Sequence, residues 1–332
     1  MNQQQVNHAL QHPDVHYASN PWSEAATLHV ASAYINPQRW DTRRQLFNNF
    51  RRDMAATANA KLYVGELAYG ERPFEVTNAS HAGDFQFRTT TELWHKENLL
   101  NLIISRFPSD WQYGAYLDGD MHMTRRDWAL EAIHLLQHYD FVQLFSSYQD
   151  LTADQRPLGA RAGFAYNYGT TGIVRRSYRD GAPGGGWAFR RSAFDAVGGL
   201  LDICILGSGD SWMAYGLAGE PNNHPETARS GAYADAILAW QQRASVIKKN
   251  FSYLDNHAIH YFHGSKMRRG YSTRWQILLD NKFDPRTDLF RDWQGIYQLT
   301  PDKPALRDAI RRYFASRNED DPSLMPGDRP QV

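Results

Sequence analysis

The apolar positions of this chain switch repeatedly between two periods. Residues 28–35 (LHVASAYI) form a continuous apolar run that stops at Asn36-Pro37, which predicts a buried strand. Over 38–58, Trp40, Leu46, Phe47, Phe50 and Met54 recur near helical spacing. Residues 61–68 (KLYVGELA) predict a second strand, and 81–90 (HAGDFQFRTT) alternate as a third. A helix is predicted over 91–107, closed by Pro108, then a short strand over 113–117 (YGAYL) that runs into Asp118-Gly119-Asp120. A helix over 124–139 and a strand over 141–147 follow. Alternation of β and α in this order predicts an α/β fold built on a parallel sheet.

The pattern then loosens. Residues 150–186 are rich in Gly, Arg and Tyr and predict a long irregular stretch, the kind that is usually functional or mobile. Short helices are predicted over 191–200 and 209–218, a longer one over 233–249, and a strand over 253–262 that ends in His263-Gly264. From about 270 the tail reads as helical and polar. Residues 1–22 read as a loose lead-in, 23–320 as one domain, and 321–332 as a frayed end.

Composition narrows the options. Thirty-six basic side chains balance 36 acidic ones, which argues against a broadly basic binder but not against a local basic groove. One cysteine, Cys204, excludes an intrachain disulfide and fits a reducing compartment. No apolar run approaches a membrane span and the first residues lack a signal-peptide pattern, so the expectation is a soluble, cytoplasmic protein. The 10 Trp, 18 Tyr and 16 Phe fit either a carved pocket or a well-filled core.

Candidate chemistry lies mostly at predicted strand ends. Asp118 and Asp120 flank a glycine at the carboxyl edge of a predicted parallel strand, where α/β folds bind ligands. Paired hard oxygens there suit Mg²⁺ or Mn²⁺ held together with substrate phosphates; an ordinary solvated turn is the alternative. In His257-x-x-His260-x-x-His263, strand alternation sets His257 and His263 on one face and His260 on the other, which makes His260 a packed or hydrogen-bonded histidine and His263 the better ligand. Lys266, Arg268, Arg269 and Arg274 follow, either as a surface patch or as charges for a diphosphate leaving group. Gly184-Gly185-Gly186-Trp187 offers close backbone approach beside an aromatic plate, or plain turn chemistry. Asp210, at a predicted helix start in Gly-Ser-Gly-Asp-Ser-Trp212, is either a cap or a general base. Lys96 falls on an apolar helix face and reads first as a snorkelling lysine.

Taken together, the Asp-Gly-Asp of 118–120 and the run GGGWAFRR…FDAVGG…GSGDSW of 184–212 resemble the DxD and acceptor-side motifs of GT-A-type glycosyltransferases, the nucleotide-diphospho-sugar transferase fold. INPQRW, VGELAYGERPFEVT, ELWHKENLLN, YLDGDMHMTRRDWA, HYFHG and RNEDD resemble more closely a group of bacterial and phage-encoded proteins assigned to that class, over about residues 28–320. The resemblance implies a Rossmann-like GT-A domain, with a nucleotide half over about 23–147, an acceptor half over 148–270 and a helical tail over 271–320. It implies metal ligation by Asp118, Asp120 and His263, and a UDP-sugar donor near residues 34–37, Asn36, Asp84 and Arg88. Lys96, Lys266, Arg268, Arg269 and Tyr271 join the donor set, with Gly185, Gly186, Trp187 and Trp212 on the acceptor side. Asp210 would be the base of an inverting hexosyl transfer; the family commonly has Glu-Asp where this chain has Gly209-Asp210, and that departure leaves two alternatives, an Asp210 that binds an acceptor hydroxyl or a retaining enzyme. Residues 181–186 and 264–270 would be lids.

The acceptor stays open at this stage. Arg161, Arg175, Arg176, Arg179, Arg190 and Arg191, interleaved with Tyr166, Tyr168, Tyr178 and Trp187, offer a strip that could hold phosphates and stack bases. That fits a hydroxymethylated pyrimidine of DNA, in a phage-infected or bacterial cytoplasm; a solvated loop and a cell-surface saccharide acceptor are the rivals. A degenerate domain that binds sugar nucleotide or glycan without turnover is a different class, and a purely structural phage protein a third.

Overall fold

A computed structural model describes residues 26–172, 174, 181–220, 231–271 and 273–323. Among them, a seven-stranded sheet runs in the order β10-β6-β9-β4-β1-β2-β3. Its strands are β1 (Leu28–Ile35), β2 (Ala60–Tyr69), β3 (Asp84–Thr89), β4 (Tyr113–Leu117), β6 (Phe141–Gln143), β9 (Gly186–Arg190) and β10 (Phe251–Tyr253). Pairing is parallel for β1 with β2 and β4, β2 with β3, and β6 with β10; only β9 runs antiparallel, between β4 and β6. The fold is therefore mixed α/β and Rossmann-like, with a mainly parallel sheet flanked by helices.

Strand alternation divides the core into two layers. On β1, Leu28, Val30 and Tyr34 enter one apolar cluster while Ala31 enters the other, as a period of two requires. Helix α1 (Asp41–Ala55) buries Phe47, Phe50 and Met54 on the first side, and α2 (Lys96–Ile104) buries Leu99, Leu100 and Ile103 on the second. Helix α3 (Trp128–Leu135) completes the alternation seen in the sequence.

Two predicted strands each divide in two, at one place. A smaller sheet in the order β5-β11-β7-β8 holds β5 (Met121–Met123), β7 (Ser147–Leu151), β8 (Pro157–Ala162) and β11 (His257–His260). The predicted strand over 141–147 is β6 followed by the start of β7, and the one over 253–262 lies across the end of β10 and all of β11. The parallel pair β6/β10 leaves the large sheet and re-forms as the parallel pair β7/β11 in the small one. Ser146 N–H donates to Asn256 carbonyl at 3.0 Å where the two segments cross. A continuous apolar run carries no signal for such a crossing.

Other expectations shift. The stretch 150–186 is not irregular throughout: it contains β8, paired antiparallel with β7, and helix α4 (Phe164–Thr171). Residues 181–186 do not form a free lid. Ala182 carbonyl accepts from Gln143 Nε2 at 2.7 Å and Phe164 N–H at 3.0 Å, and Gly186 opens β9. Helices α5 (Arg191–Val197), α6 (Gly209–Leu217) and α7 (Gly231–Ala244) follow the predicted order. The tail is not all helix: α8 (Trp275–Asp280) leads to a hairpin of β12 (Leu289–Arg291) and β13 (Tyr297–Leu299), then α9 (Pro304–Ser316). Beyond α9 the chain folds back. Asp320 accepts the Asp41 and Thr42 N–H groups at 3.0 and 2.8 Å, capping α1.

Candidate functional site

One cavity of about 1020 Å³ opens at the carboxyl ends of β1 and β4. It is lined by Asp118, Asp120, Lys96, Asp210, His260, His263, Lys266, Arg269 and Tyr271, among others. The place is the one topology favours, outside the carboxyl edge of a parallel sheet.

The Asp-Gly-Asp turn links β4 of the large sheet to β5 of the small one. Asp118 N–H donates to Gly185 carbonyl at 2.8 Å. Gly119 is required for space rather than for an unusual φ: a Cβ there would stand 2.4 Å from Phe47 of α1. Asp118 and Asp120 then part company. Lys96, at the start of α2, reaches Asp118 at 2.5 and 2.7 Å, so it is an ion-paired lysine and not a snorkelling one. Burial raises the Asp118 carboxyl above its usual range, against the pull of Lys96.

Asp120 meets two imidazoles instead. One ligand atom each from Asp120, His260 and His263 lie within 4.8 Å of one another. The expected opposition of His260 to His263 fails because β11 ends at His260; the chain turns there, and the two rings stand edge to face at 5.4 Å. His257, at the other end of β11, is exposed and bonds Ser147 Oγ at 2.9 Å. Each clustered imidazole has a carboxylate behind it. His260 Nδ1 lies 2.7 Å from Asp150, its register partner on β7, which leaves Nε2 for the cluster. His263 Nδ1 lies 3.6 Å from Glu319. His263 Nε2 stands 2.9 Å from Asp120 Oδ2 yet is buried without hydrogen-bond geometry to any partner. Burial pushes Asp120 up, but His263, His260 and Arg269 together hold it well below the ordinary carboxylate range.

A carboxylate with two imidazoles, each imidazole backed by a further carboxylate, is chemistry that fits a divalent transition metal. The orphaned His263 nitrogen is the atom such an ion would satisfy.

Glu319 anchors this end. It is 1% exposed, takes a bidentate pair from Arg43 at 2.7 and 2.9 Å, and meets Arg317 at 2.7 Å. Burial opposes its charge, but Arg43 and Arg317 hold its carboxyl far below the usual range. Asp150 is similarly held, at about 2, by His260 and Lys266 against burial.

Asp210 sits in the first turn of α6 and faces the cavity; its Oδ1 accepts the adjacent Ser211 N–H at 2.8 Å. Glu97 lies nearby, 3% exposed, its carboxyl against the Gly209 backbone. Burial first, then Asp210, push Glu97 up to about 8 against Lys96.

Several expected site residues stand elsewhere. Trp187 is 4% exposed in β9, with Nε1 donating to Pro183 carbonyl at 2.7 Å; its side chain packs in the core and does not face the cavity. Gly186 is spent on β9, although Gly185 does line the cavity. Trp212 is 1% exposed, edge-on to Trp275 in the core. Asp84 is locked to Arg51 at 3.0 Å, and Arg88 bonds the Gly70 and Arg72 carbonyls; neither lines the cavity. Asn36 holds the turn after β1 through Trp40, while its neighbours Ile35 and Pro37 face the cavity. Arg268 pairs with Asp321 at 2.7 Å outside the cavity wall. Of the arginine strip, Arg175, Arg176, Tyr178 and Arg179 lie outside the described residues. Arg161 lines the cavity, 3.7 Å from Asp150, whereas Arg190 and Arg191 turn to the opposite end of β9. His260, Asp150, Glu97, Arg43, Arg317 and Glu319 were not anticipated as site residues.

No family model matches the chain, and no curated protein matches it. A solved structure that overlaps it is that of a Desulfovibrio desulfuricans protein named as a nucleotide-diphospho-sugar transferase. The identity is 12%, over 88% of this chain and 98% of the other, and the overlay is loose, with a TM-score of 0.30. Among the described residues no helix is long and apolar enough to cross a membrane.

Proposed function

We propose that the cavity is the active site of a metal-dependent glycosyltransferase, which moves a sugar from a nucleotide-diphosphate sugar, such as a UDP-sugar, to an acceptor hydroxyl. The observation that carries this reading is the cluster of Asp120, His260 and His263 in the same cavity as a separate acid, Asp210, with half-buried Lys96 and Arg43 and buried Arg269 also in its lining. Asp120, His260 and His263 would hold the ion. Two imidazoles favour Mn²⁺ over Mg²⁺, which prefers an all-oxygen shell. A divalent ion bound there supplies positive charge to a departing diphosphate.

The chain's own residues do the rest. Lys96 fixes Asp118 at the edge of the turn. Lys266 and Arg269 add charge on the leaving-group side, and Tyr34, Ile35 and Pro37 wall the far end of the cavity. Asp210 accepts the proton of the acceptor hydroxyl as the new C–O bond forms, a contribution of about 10²–10⁴-fold. At about 1020 Å³ the cavity is at the upper limit of single-ligand pockets, which leaves room for donor and acceptor together.

Calorimetric titration of UDP with and without Mn²⁺ tests the reading. UDP binding should require the ion and be lost in Asp120→Ala. Equal UDP affinity with and without Mn²⁺ would overturn it.

A further inference from the structure

Two buried guanidiniums in the cavity wall have no carboxylate within ion-pair distance among the described residues, and they serve different ends of it. Arg269 donates to Tyr271 hydroxyl at 3.1 Å and to Gly264 carbonyl at 3.5 Å, beside His263. Arg274 turns the other way. It is 5% exposed, its Nη2 donates to Ser208 Oγ at 2.5 Å and its Nη1 to Tyr313 hydroxyl at 3.3 Å. Its Nε is buried with no hydrogen-bond partner. The Tyr271 and Trp275 rings lie 5.0 and 5.3 Å from the guanidinium, and among the described residues no carboxylate pairs with it. Arg317, equally buried, has Glu319. The Asp210 carboxylate attracts Arg274 only from beyond ion-pair distance, and a cation buried without a paired anion is costly, which suits the site to an incoming one.

The position of Arg274 says which anion. Ser208, held in a left-handed conformation at φ 66°, precedes α6 and faces the cavity with Asp210 two residues on. Gly207, at φ 87°, lets the chain pass against the guanidinium; a Cβ there would stand 3.2 Å from Nη1. Arg274, the Ser208 hydroxyl and the amino end of α6 lie together at the Asp210 end of the cavity, a donor set suited to a tetrahedral oxyanion.

We infer that the acceptor carries a phosphate close to its reacting hydroxyl, and that Arg274 and Ser208 hold that phosphate while Asp210 takes the hydroxyl proton. This rests on the transferase reading, with Asp210 marking the acceptor side. The phosphate belongs either to a sugar phosphate or to a nucleotide bearing a hydroxymethyl group.

The test is calorimetry on the full chain with saturating UDP and Mn²⁺. Inorganic phosphate is titrated first, then two pairs: a hexose and its 6-phosphate, and 5-hydroxymethyldeoxycytidine and its 5′-monophosphate. Phosphate should bind while UDP is in place, and one phosphorylated member should bind at least tenfold tighter than its neutral partner; the pair that shows the gain identifies the source. Arg274→Gln should abolish the gain and leave UDP affinity within twofold. Displacement of phosphate by UDP, or equal affinities within both pairs, overturns the inference. The wild-type competition decides the matter even if Arg274→Gln does not fold. Failure of wild-type protein to bind UDP with Mn²⁺ refutes the donor reading instead, and phosphate binding is then measured without UDP.

Discussion

Replacing Glu319 by Gln removes the negative charge that pairs with both Arg43 and Arg317 of the cavity wall. The carboxylate is 1% exposed and neutralises Arg43 and Arg317, both at 2.7 Å. Breaking a buried pair from one side costs about 3–5 kcal/mol, because the cations left behind stay desolvated. With an unfolding entropy of about 2.1 cal/mol/K per residue, a chain of 332 residues loses about 1.4 °C of Tm per kcal/mol, so Tm should fall by about 4–7 °C. The wild-type pH profile carries the same signature. The folded Glu319 carboxyl lies below its unfolded value, so its contribution is complete above about pH 5 and disappears as pH falls through the lowered folded value. The Tm gap between wild type and Glu319→Gln, read by calorimetry, should therefore be widest near neutrality and close in strong acid. The variant also loosens the carboxylate behind His263, and Mn²⁺ affinity should drop about 10–100-fold. A Tm within 1 °C of wild type at pH 7, with Mn²⁺ affinity unchanged, would show that the strap beyond α9 is not part of the site.

Two further outcomes follow from the same geometry. Glu97 binds a proton more readily folded, at about 8, than unfolded, so it is a liability whose cost grows as pH rises from about 4 toward 8. Glu97→Gln should match wild type near pH 4 and exceed it in Tm at pH 8; a gap that does not widen with pH contradicts the burial of that carboxyl. Gly119→Ala should cost about 1–3 kcal/mol, since Phe47 lies 2.4 Å from the added methyl and is itself packed in the core. Chemical denaturation measures it, and an unchanged midpoint would mean the Asp-Gly-Asp turn is free of α1.

How much of this was legible follows from where each signal lives. The β-α-β opening was readable because it is local: an apolar run, a proline stop and a 3.6-residue stripe each lie within one element. Asp118 and Asp120 were readable for the same reason, as acids at the end of an apolar strand. What separates them was not. Lys96 is 22 residues upstream of Asp118 and looked like one more member of an apolar face. The hydrogen-bonded character of His260 is legible, but its place beside His263 is not, because alternation does not extend past the end of the strand, and Asp150, its partner on a parallel neighbour, has no pattern of its own. Trp187 shows the opposite error. A glycine run followed by a tryptophan suggests a ligand platform, yet β9 is wedged between β4 and β6 as the antiparallel member of its sheet, and every position from Gly186 to Phe189 is buried.

The tail makes the most instructive case, because it reads as helical and polar with a frayed end, while its acids pair with residues around the site. Glu319, Asp320 and Asp321 are consecutive, and each bonds a different part of the molecule: Arg43 and Arg317, the start of α1, and Arg268. An acidic run at a chain end is solvated unless cations are buried within its reach, and those cations come from α1 and from the segment after His263. Composition records 36 charges of each sign and says nothing of which ones meet. Three of the stretches that line the cavity, around 33–47, 118–121 and 260–275, are met by the 317–321 strap: Arg43 of the first directly, the turn's Asp120 through His263, and Arg268 within the third. The strap therefore couples the ends of the site, and loss of Glu319 should be felt at the Asp120–His260–His263 cluster before it is felt at Asp210.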